Sequence, residues 1–273
     1  MPDPVLVLLD GLRRLDPSVP VLRVDDLGVL RGESVFETVR IAAGRPAFLD
    51  AHLARLATSA ARVALDLPGG WTALAAEAVR GWVDGVLRLV CTKGDGHGPG
   101  TGFALVTAIP PETVAGRDGV TAVTLTLGVA AARREAAPWL LGGVKSTSYA
   151  VNMASLRHAR DVGAQEAIWL SSDGELLEAP TSTVVVVRDG VLVTPPASVG
   201  ILSGTTLRAV LDLDLAPSCV RRVSAAELAD ADEVLLLSSI RGVAPVVRLD
   251  GRDLGVGPLG RQLRDAFEDS ISR

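Results

Sequence analysis

The spacing of apolar positions changes period several times along the chain, and each change marks an element. "PVLVLLDG" is a short apolar run closed by Asp-Gly, which predicts a strand ending in a turn. In "SVFETVRIAAGRPAFL" the β-prone runs Ser34 to Ile41 and Pro46 to Leu49 flank Gly44, which predicts two strands joined by a turn. The period then lengthens to that of a helix. Leu53, Leu56, Ala60 and Val63 share a face after Asp50, a residue able to cap the start, and Trp71, Leu74, Ala78 and Trp82 share another in the next segment. "GVLRLVCT" and "GFALVTAIP" return to strand character on either side of the loop "KGDGHGPGT". This half reads as α/β with antiparallel pairing.

A cluster of turn formers, "PPETVAGRDG", interrupts the pattern at residues 110–119 and sets the expected boundary between a smaller N-terminal domain, 1–117, and a larger one, 118–273. Beyond it, "VTAVTLTLGV" predicts a strand and "TSYAVNMASLRHARDVG" a helix that Gly163 can end. Asp-Gly pairs at 173 and 189, each between β-prone runs, predict consecutive hairpins. "GILSGTTLRAVLDL" is a loop feeding a helix, and Ser224 with Glu227 forms a capping box. "EVLLLSS" is a further strand, and a last helix turns Leu259, Leu263 and Phe267 inward.

Composition narrows the function. With 273 residues, 48% of them hydrophobic, the chain can bury a sizeable core. A net charge of −5 offers no broad basic surface, so nucleic acid is not an expected partner. The first apolar run is short and follows an acidic start, and no later run approaches a membrane span, so no membrane partner and a cytoplasmic location are expected. Cys91 and Cys219 lie far apart, and His52, His97 and His158 share no helical metal spacing; neither a metal site nor a disulfide framework is expected.

Among 27 basic residues only Lys93 and Lys145 are lysines, so a lysine that survives this arginine bias is a candidate for chemistry. A guanidinium stays protonated in a protein, whereas an ε-amine can lose its proton and attack a carbonyl. Lys145 follows a Gly-Gly turn in "LLGGVKSTSY". Glu178 in "GELLEAPTSTVVVV" sits in an apolar, β-branched stretch where a carboxylate calls for a partner. In "GILSGTTLRAVL", Gly204 permits close approach and the N–H groups of Thr205 and Thr206 open a helix, an arrangement suited to a phosphate. Arg55, one turn after His52 in "DAHLARL", can act as a second clamp on that phosphate.

Taken singly, each has a plainer account: a surface lysine, a solvent-facing glutamate, a helix cap, a solvated arginine. Together, amine, carboxylate, phosphate cradle and arginine match the needs of pyridoxal 5′-phosphate. The loop "KGDGHGPGTG" satisfies neither G-x-G-x-x-G nor G-K-[ST], and "GILSG" misses the nucleophile-elbow pattern by one residue.

In order, "SVFETVRIAAGRPAFLDAHLARL", "GVKSTSYAVN", "LLEAPTSTVVVV", "GILSGTTLRA" and "LLLSSIRGVAPV" resemble the class IV aminotransferase family, and the likeness covers nearly the whole chain. It implies an α/β (α+β), two-domain fold-type IV enzyme, similar to D-amino acid and branched-chain aminotransferases, with pyridoxal phosphate flanked by the two domains and a homodimeric assembly. By this resemblance Lys145 bonds the cofactor's aldehyde and Glu178 partners the pyridine nitrogen. Arg55 and the Thr205 and Thr206 amides at Gly204 grip the phosphate, Leu202 packs on the ring, and Ser182 and Ser239 add cofactor contacts.

Departures from the family pattern bear on substrate. "GTTLR" moves the arginine of that motif to Arg208, "SSIRG" offers Arg241, and "KSTSY" carries Tyr149; these count against a branched-chain substrate. The compact length, "GVLRLVCTKGDGHG" and the arginine of "SSIRG" look most similar to 4-amino-4-deoxychorismate lyases. The implied substrate is a small amine with two carboxylates, for which Arg88, Arg241 and His97 are candidates, and Thr38 is a candidate acid for the leaving group. A D- or branched-chain amino acid aminotransferase is the alternative within the family, and a non-catalytic dimeric scaffold the alternative outside it.

Overall fold

The computed structural model describes residues 3–272. They form two compact units. One is built on the chain up to Pro110 together with Val144–Tyr149 and the residues from Ile271; the other comprises Pro111–Gly143 and Ala150–Ser270.

The first unit is built on six strands: β1 (Val5–Leu8), β2 (Arg14–Leu15), β3 (Ser34–Ala42), β4 (Arg45–Pro46), β5 (Gly85–Thr92) and β6 (Gly102–Thr107). They pair antiparallel in the order β2-β1-β6-β5-β3-β4. Helix α1 (Leu27–Leu30) is capped by the Asp26 carboxylate, which accepts from the Gly28 N–H. Helices α2 (Leu49–Arg62) and α3 (Trp71–Val79) supply Leu56, Ala60, Trp71, Leu74 and Ala78 to a core shared with Val35, Val39, Ile41, Leu87 and Leu89.

Pro46 to Leu49 does not continue as a strand, because Phe48 turns into the left-handed region (φ 51°) and starts α2 directly. Asp50 is therefore not the cap but lies in the first turn, where its charge still suits the helix dipole.

The second unit holds β7 (Val120–Thr126), β8 (Glu166–Leu170), β9 (Thr183–Arg188), β10 (Val191–Thr194), β11 (Ser218–Val220), β12 (Glu233–Ser238), β13 (Gly242–Leu249) and β14 (Arg252–Asp253). The order is β11-β10-β9-β12-β13-β7-β8, with β14 paired to β13. Pairing is parallel at β10–β11, β13–β7 and β7–β8, and antiparallel elsewhere. Asp189 and Gly190, both at positive φ (50° and 75°), make the tight turn from β9 to β10 that their sequence predicts. At Asp173-Gly174 the return is irregular: Leu170 bridges Leu176, and Trp169 accepts from the Leu177 N–H and donates to the Glu178 carbonyl, so Glu178 is held against β8 without lying in a regular strand.

The α-helices of this unit are α4 (Pro111–Ala115), α5 (Ala131–Ala136), α6 (Ala150–Asp161), α7 (Thr205–Leu211), α8 (Ala225–Ala229) and all but the last residues of α9 (Pro258–Ser272). The Ser224–Glu227 capping box opens α8, and Leu263 and Phe267 of α9 are buried. Helix α6 starts at Ala150, three residues later than its apolar pattern suggests, because Ser146 and Thr147 are bonded to β3 instead. Among the described residues no helix is long and apolar enough to cross a membrane.

Candidate active site

In the first unit, the segment around Lys145 is laid along the edge of β3. The Phe36 N–H donates to the Lys145 carbonyl (3.0 Å), the Thr147 N–H to the Ser34 carbonyl (3.2 Å), and the Ser34 and Thr147 hydroxyls are hydrogen-bonded. The Lys145 N–H donates to the buried Ser59 hydroxyl of α2 (3.1 Å). Its backbone is thus fixed from two elements. The Nζ stands 4.4 Å from the Phe36 ring centroid and donates to the Tyr149 hydroxyl at 3.3 Å, while the Phe36 and Tyr149 rings meet edge to face at 5.1 Å. An amine held against two aromatic rings is well placed for covalent work with an aldehyde.

Strand alternation puts Thr38 on the same face of β3 as Phe36, and Thr38 pairs directly with Arg88 of β5. Arg88 is exposed and Thr38 half-buried. Amine, hydroxyl and guanidinium, three of the candidates, therefore share one face. His97 lies on the exposed loop between β5 and β6, where its N–H is taken by Asp95 (2.9 Å). Lys93 is accounted for by an ion pair with Glu33.

Arg55 belongs to the opposite face of the sheet, where Glu37 lies between Val35 and Val39. Its Nε and Nη2 donate to the two oxygens of Glu37, each at 2.7 Å, and His52 Nδ1 meets the same carboxylate at 2.7 Å. Burial alone would raise the Glu37 carboxyl, but the hydrogen bonds and charges of Arg55 and His52 outweigh it and hold it below the usual range. Burial, joined by the charges of Arg55 and Lys145, pushes His52 down against the upward pull of Glu37.

In the second unit, Glu178 accepts the Leu202 N–H at 3.1 Å. The loop carrying Leu202 is pinned from behind by Arg134, which donates to the carbonyls of Val199 (3.3 Å) and Gly200 (2.6 Å). Burial lowers the Arg134 pKa, while the charge of Glu178 acts to raise it. Gly142 packs against the same loop, since a Cβ there would come within 2.7 Å of the Gly200 Cα. At Gly204 a Cβ would collide with the Thr183 hydroxyl, so the loop entering α7 passes too close to β9 for any other residue. Thr205 and Thr206, the first residues of α7, are buried.

Ser182 and Arg241 are joined: Arg241 donates from Nη2 to the Ser182 hydroxyl (3.1 Å) and from Nη1 to Glu166. Arg241 is 9% exposed and Glu166 6%, so the guanidinium offered by the sequence for a substrate carboxylate is committed to a buried acid. Ser239 stands half-buried in the turn between β12 and β13.

Glu37, Arg134, Phe36 and Glu166 were not singled out by motif. Glu37 had a signal: it falls on the apolar register Val35, Val39, Ile41, where a charge is out of place.

The class IV amino-transferase family model matches residues 34–249. A bifunctional aminodeoxychorismate lyase / D-amino acid transaminase from Mycobacterium tuberculosis is 39% identical, covering 98% of this chain and 99% of its own. Among solved structures, a hypothetical aminotransferase from Mycobacterium tuberculosis in its PLP-bound form has a TM-score of 0.93 at 37% identity, covering 98% of each chain. A fold IV-transaminase from Curtobacterium pusillum reaches 0.92 at 37% identity, covering 99% of each. Together with the two sheets, these likenesses define a fold-type IV enzyme. The chain belongs to the class IV aminotransferase family, whose enzymes use pyridoxal 5′-phosphate.

The residues present fit that cofactor, unit by unit. Lys145 provides an amine positioned by its backbone, and Glu178 an acid held by the Leu202 N–H.

Proposed function

We propose that the protein is a pyridoxal-phosphate-dependent 4-amino-4-deoxychorismate lyase, releasing pyruvate to leave 4-aminobenzoate. The observation that carries this reading is the shared sheet face on which Thr38 and the exposed Arg88 accompany the Phe36 ring that bears the Lys145 amine. With Arg241 committed to Glu166, recognition of the substrate's carboxylates falls to Arg88, with His97 a second contact. The name of the Mycobacterium tuberculosis relative gives further support.

Pyridoxal phosphate supplies an aldehyde and an electron-accepting ring. Lys145 would bond the aldehyde and, once released by the substrate amine, take the proton from the amine-bearing carbon. Glu178 would keep the pyridine nitrogen protonated, each pKa unit so gained being worth about 1.4 kcal/mol. Arg55, Gly204, Thr205, Thr206, Ser182 and Ser239 would hold the cofactor at its phosphate end, and Leu202 would cover the ring. As the C–O bond to the enolpyruvyl group breaks with its electron pair, Thr38 would return a proton to the departing group. The carbon ring, having lost one proton and one substituent, becomes aromatic.

The second reading, a D-amino acid transaminase, is favoured by the paired activities in that relative's name. A homodimer, implied by the family resemblance, has support in the exposed apolar cluster Trp139, Leu140 and Leu141.

Borohydride reduction of the holoenzyme followed by peptide mapping should place the cofactor on Lys145; an adduct at Lys93, or none, would overturn the site. Incubation with aminodeoxychorismate should yield equal amounts of pyruvate and 4-aminobenzoate. Turnover of D-amino acids with no such release would replace the lyase by the transaminase.

A further inference from the structure

Glu37 is 0% exposed and flanked on β3 by Val35 and Val39, both also 0%. A carboxylate in such a place is costly unless every oxygen is met. Here both are, and by donors from one helix: Nε and Nη2 of Arg55 take one oxygen each, and His52, one turn earlier on α2, reaches Oε2. A pairing that served only to neutralise charge would not require this side-on fork. The two parallel bonds fix the plane of the guanidinium, and so fix where its other N–H groups lie, at the end of a side chain that otherwise samples many rotamers. The His52 bond in turn restrains the carboxylate about its own last torsion. An ionised carboxylate only accepts, so His52 donates from Nδ1. Its depressed pKa keeps the ring neutral, so Arg55 has no second cation beside it on that oxygen.

We infer that Glu37 is a positioning residue that aims the Arg55 guanidinium at the cofactor phosphate, with His52 locking the carboxylate in the required orientation. The inference rests on the assignment of Arg55 to that phosphate. It makes phosphate recognition depend on a residue buried in the face of the sheet.

The test is a comparison of two ligands on the full-length apoenzyme. Pyridoxal 5′-phosphate and pyridoxal are titrated by absorbance, and the phosphate resonance of the bound cofactor is followed by phosphorus NMR, for wild type, Glu37→Gln, Glu37→Asp and Arg55→Gln. Glu37→Gln should reduce the ratio of phosphate-ester to free-aldehyde affinity about tenfold, as loss of a group that orients a ligand does, leaving pyridoxal binding nearly unchanged and shifting the resonance. Damage to the fold in general would weaken both ligands alike. Should Glu37→Gln fail to fold, Glu37→Asp, which keeps the charge and withdraws it by one methylene, reads the same ratio. A wild-type ratio in a folded Glu37 variant, with a collapsed ratio in Arg55→Gln, would overturn the inference and spare the Arg55 assignment. A wild-type ratio in Arg55→Gln would overturn the assignment itself.

Discussion

Lys145 and Ser59, 86 residues apart in the chain, are joined by a hydrogen bond from the lysine's backbone N–H to the serine hydroxyl at 3.1 Å. Ser59 is 1% exposed and lies on α2, the helix that also carries His52 and Arg55. The placement of the Lys145 backbone is thus set from α2, while its amine is held by Phe36 and Tyr149. Ser59→Ala removes the acceptor from a part-buried N–H and should cost about 1 kcal/mol in urea unfolding. It should also slow borohydride trapping at Lys145 without changing which lysine is trapped; trapping at the wild-type rate would show that this bond does not set the amine.

The Arg241–Glu166 pair makes a second prediction. Glu166 Oε2 is buried with no hydrogen-bond partner among the described residues, so Arg241 carries much of its compensation. Arg241→Met should cost about 3–5 kcal/mol, whereas Arg241→Met with Glu166→Met should recover most of that loss, because no unpaired charge stays buried. Denaturant unfolding of the two variants separates a structural arginine from one reserved for substrate. An Arg241→Met variant of normal stability but raised KM would return the residue to substrate binding.

The Glu37 cluster fixes the sign of a pH dependence. His52 titrates below its ordinary 6.5 when folded, so as pH falls past that value the unfolded chain binds the proton first and stability declines. Glu37, also depressed, adds a further decline as pH falls below its ordinary 4.5 toward its folded value. Urea unfolding between pH 7.5 and pH 5, as rough limits, should show stability rising with pH, and His52→Gln should flatten the curve over that window. A wild-type slope in His52→Gln would mean that other groups carry the effect.

Gly204→Ala places a methyl group against the Thr183 hydroxyl. The expected cost is about 1–3 kcal/mol with weaker cofactor binding, and Thr183→Ala in the same chain should relieve part of both. Thermal unfolding with and without cofactor measures the two effects.

Much of the architecture was legible because local chemistry and tertiary context agree. Asp189-Gly190 dictates its turn, Ser224 and Glu227 their cap, and Leu74, Ala78, Leu263 and Phe267 their buried faces. Reading failed where a distant partner decides the local state. Thr147 has a helical context, yet its N–H is taken by Ser34, more than a hundred residues away. Phe48 is a poor residue for the left-handed region and gave no warning that α2 would begin beside it. The candidate site shows the same division. Lys145, Glu178 and Gly204 stand out by residue type in their setting, whereas Arg241 showed its charge but not the acid that claims it, because Glu166 lies 75 residues earlier.

The pinning of Val144–Tyr149 along β3 bears on any attempt to dissect the protein by truncation. A fragment ending at Pro110 would keep nearly the whole of the first unit yet lack the peptide that satisfies the Phe36 N–H and the Ser34 carbonyl. Strand β3, which β4 covers only at Ile41 and Ala42, would be left bare over Ser34–Phe36, an adhesive border of the kind that invites neighbouring molecules to pair. Recombinant halves of this enzyme should therefore precipitate unless residues 144–149 are grafted back to cover that border.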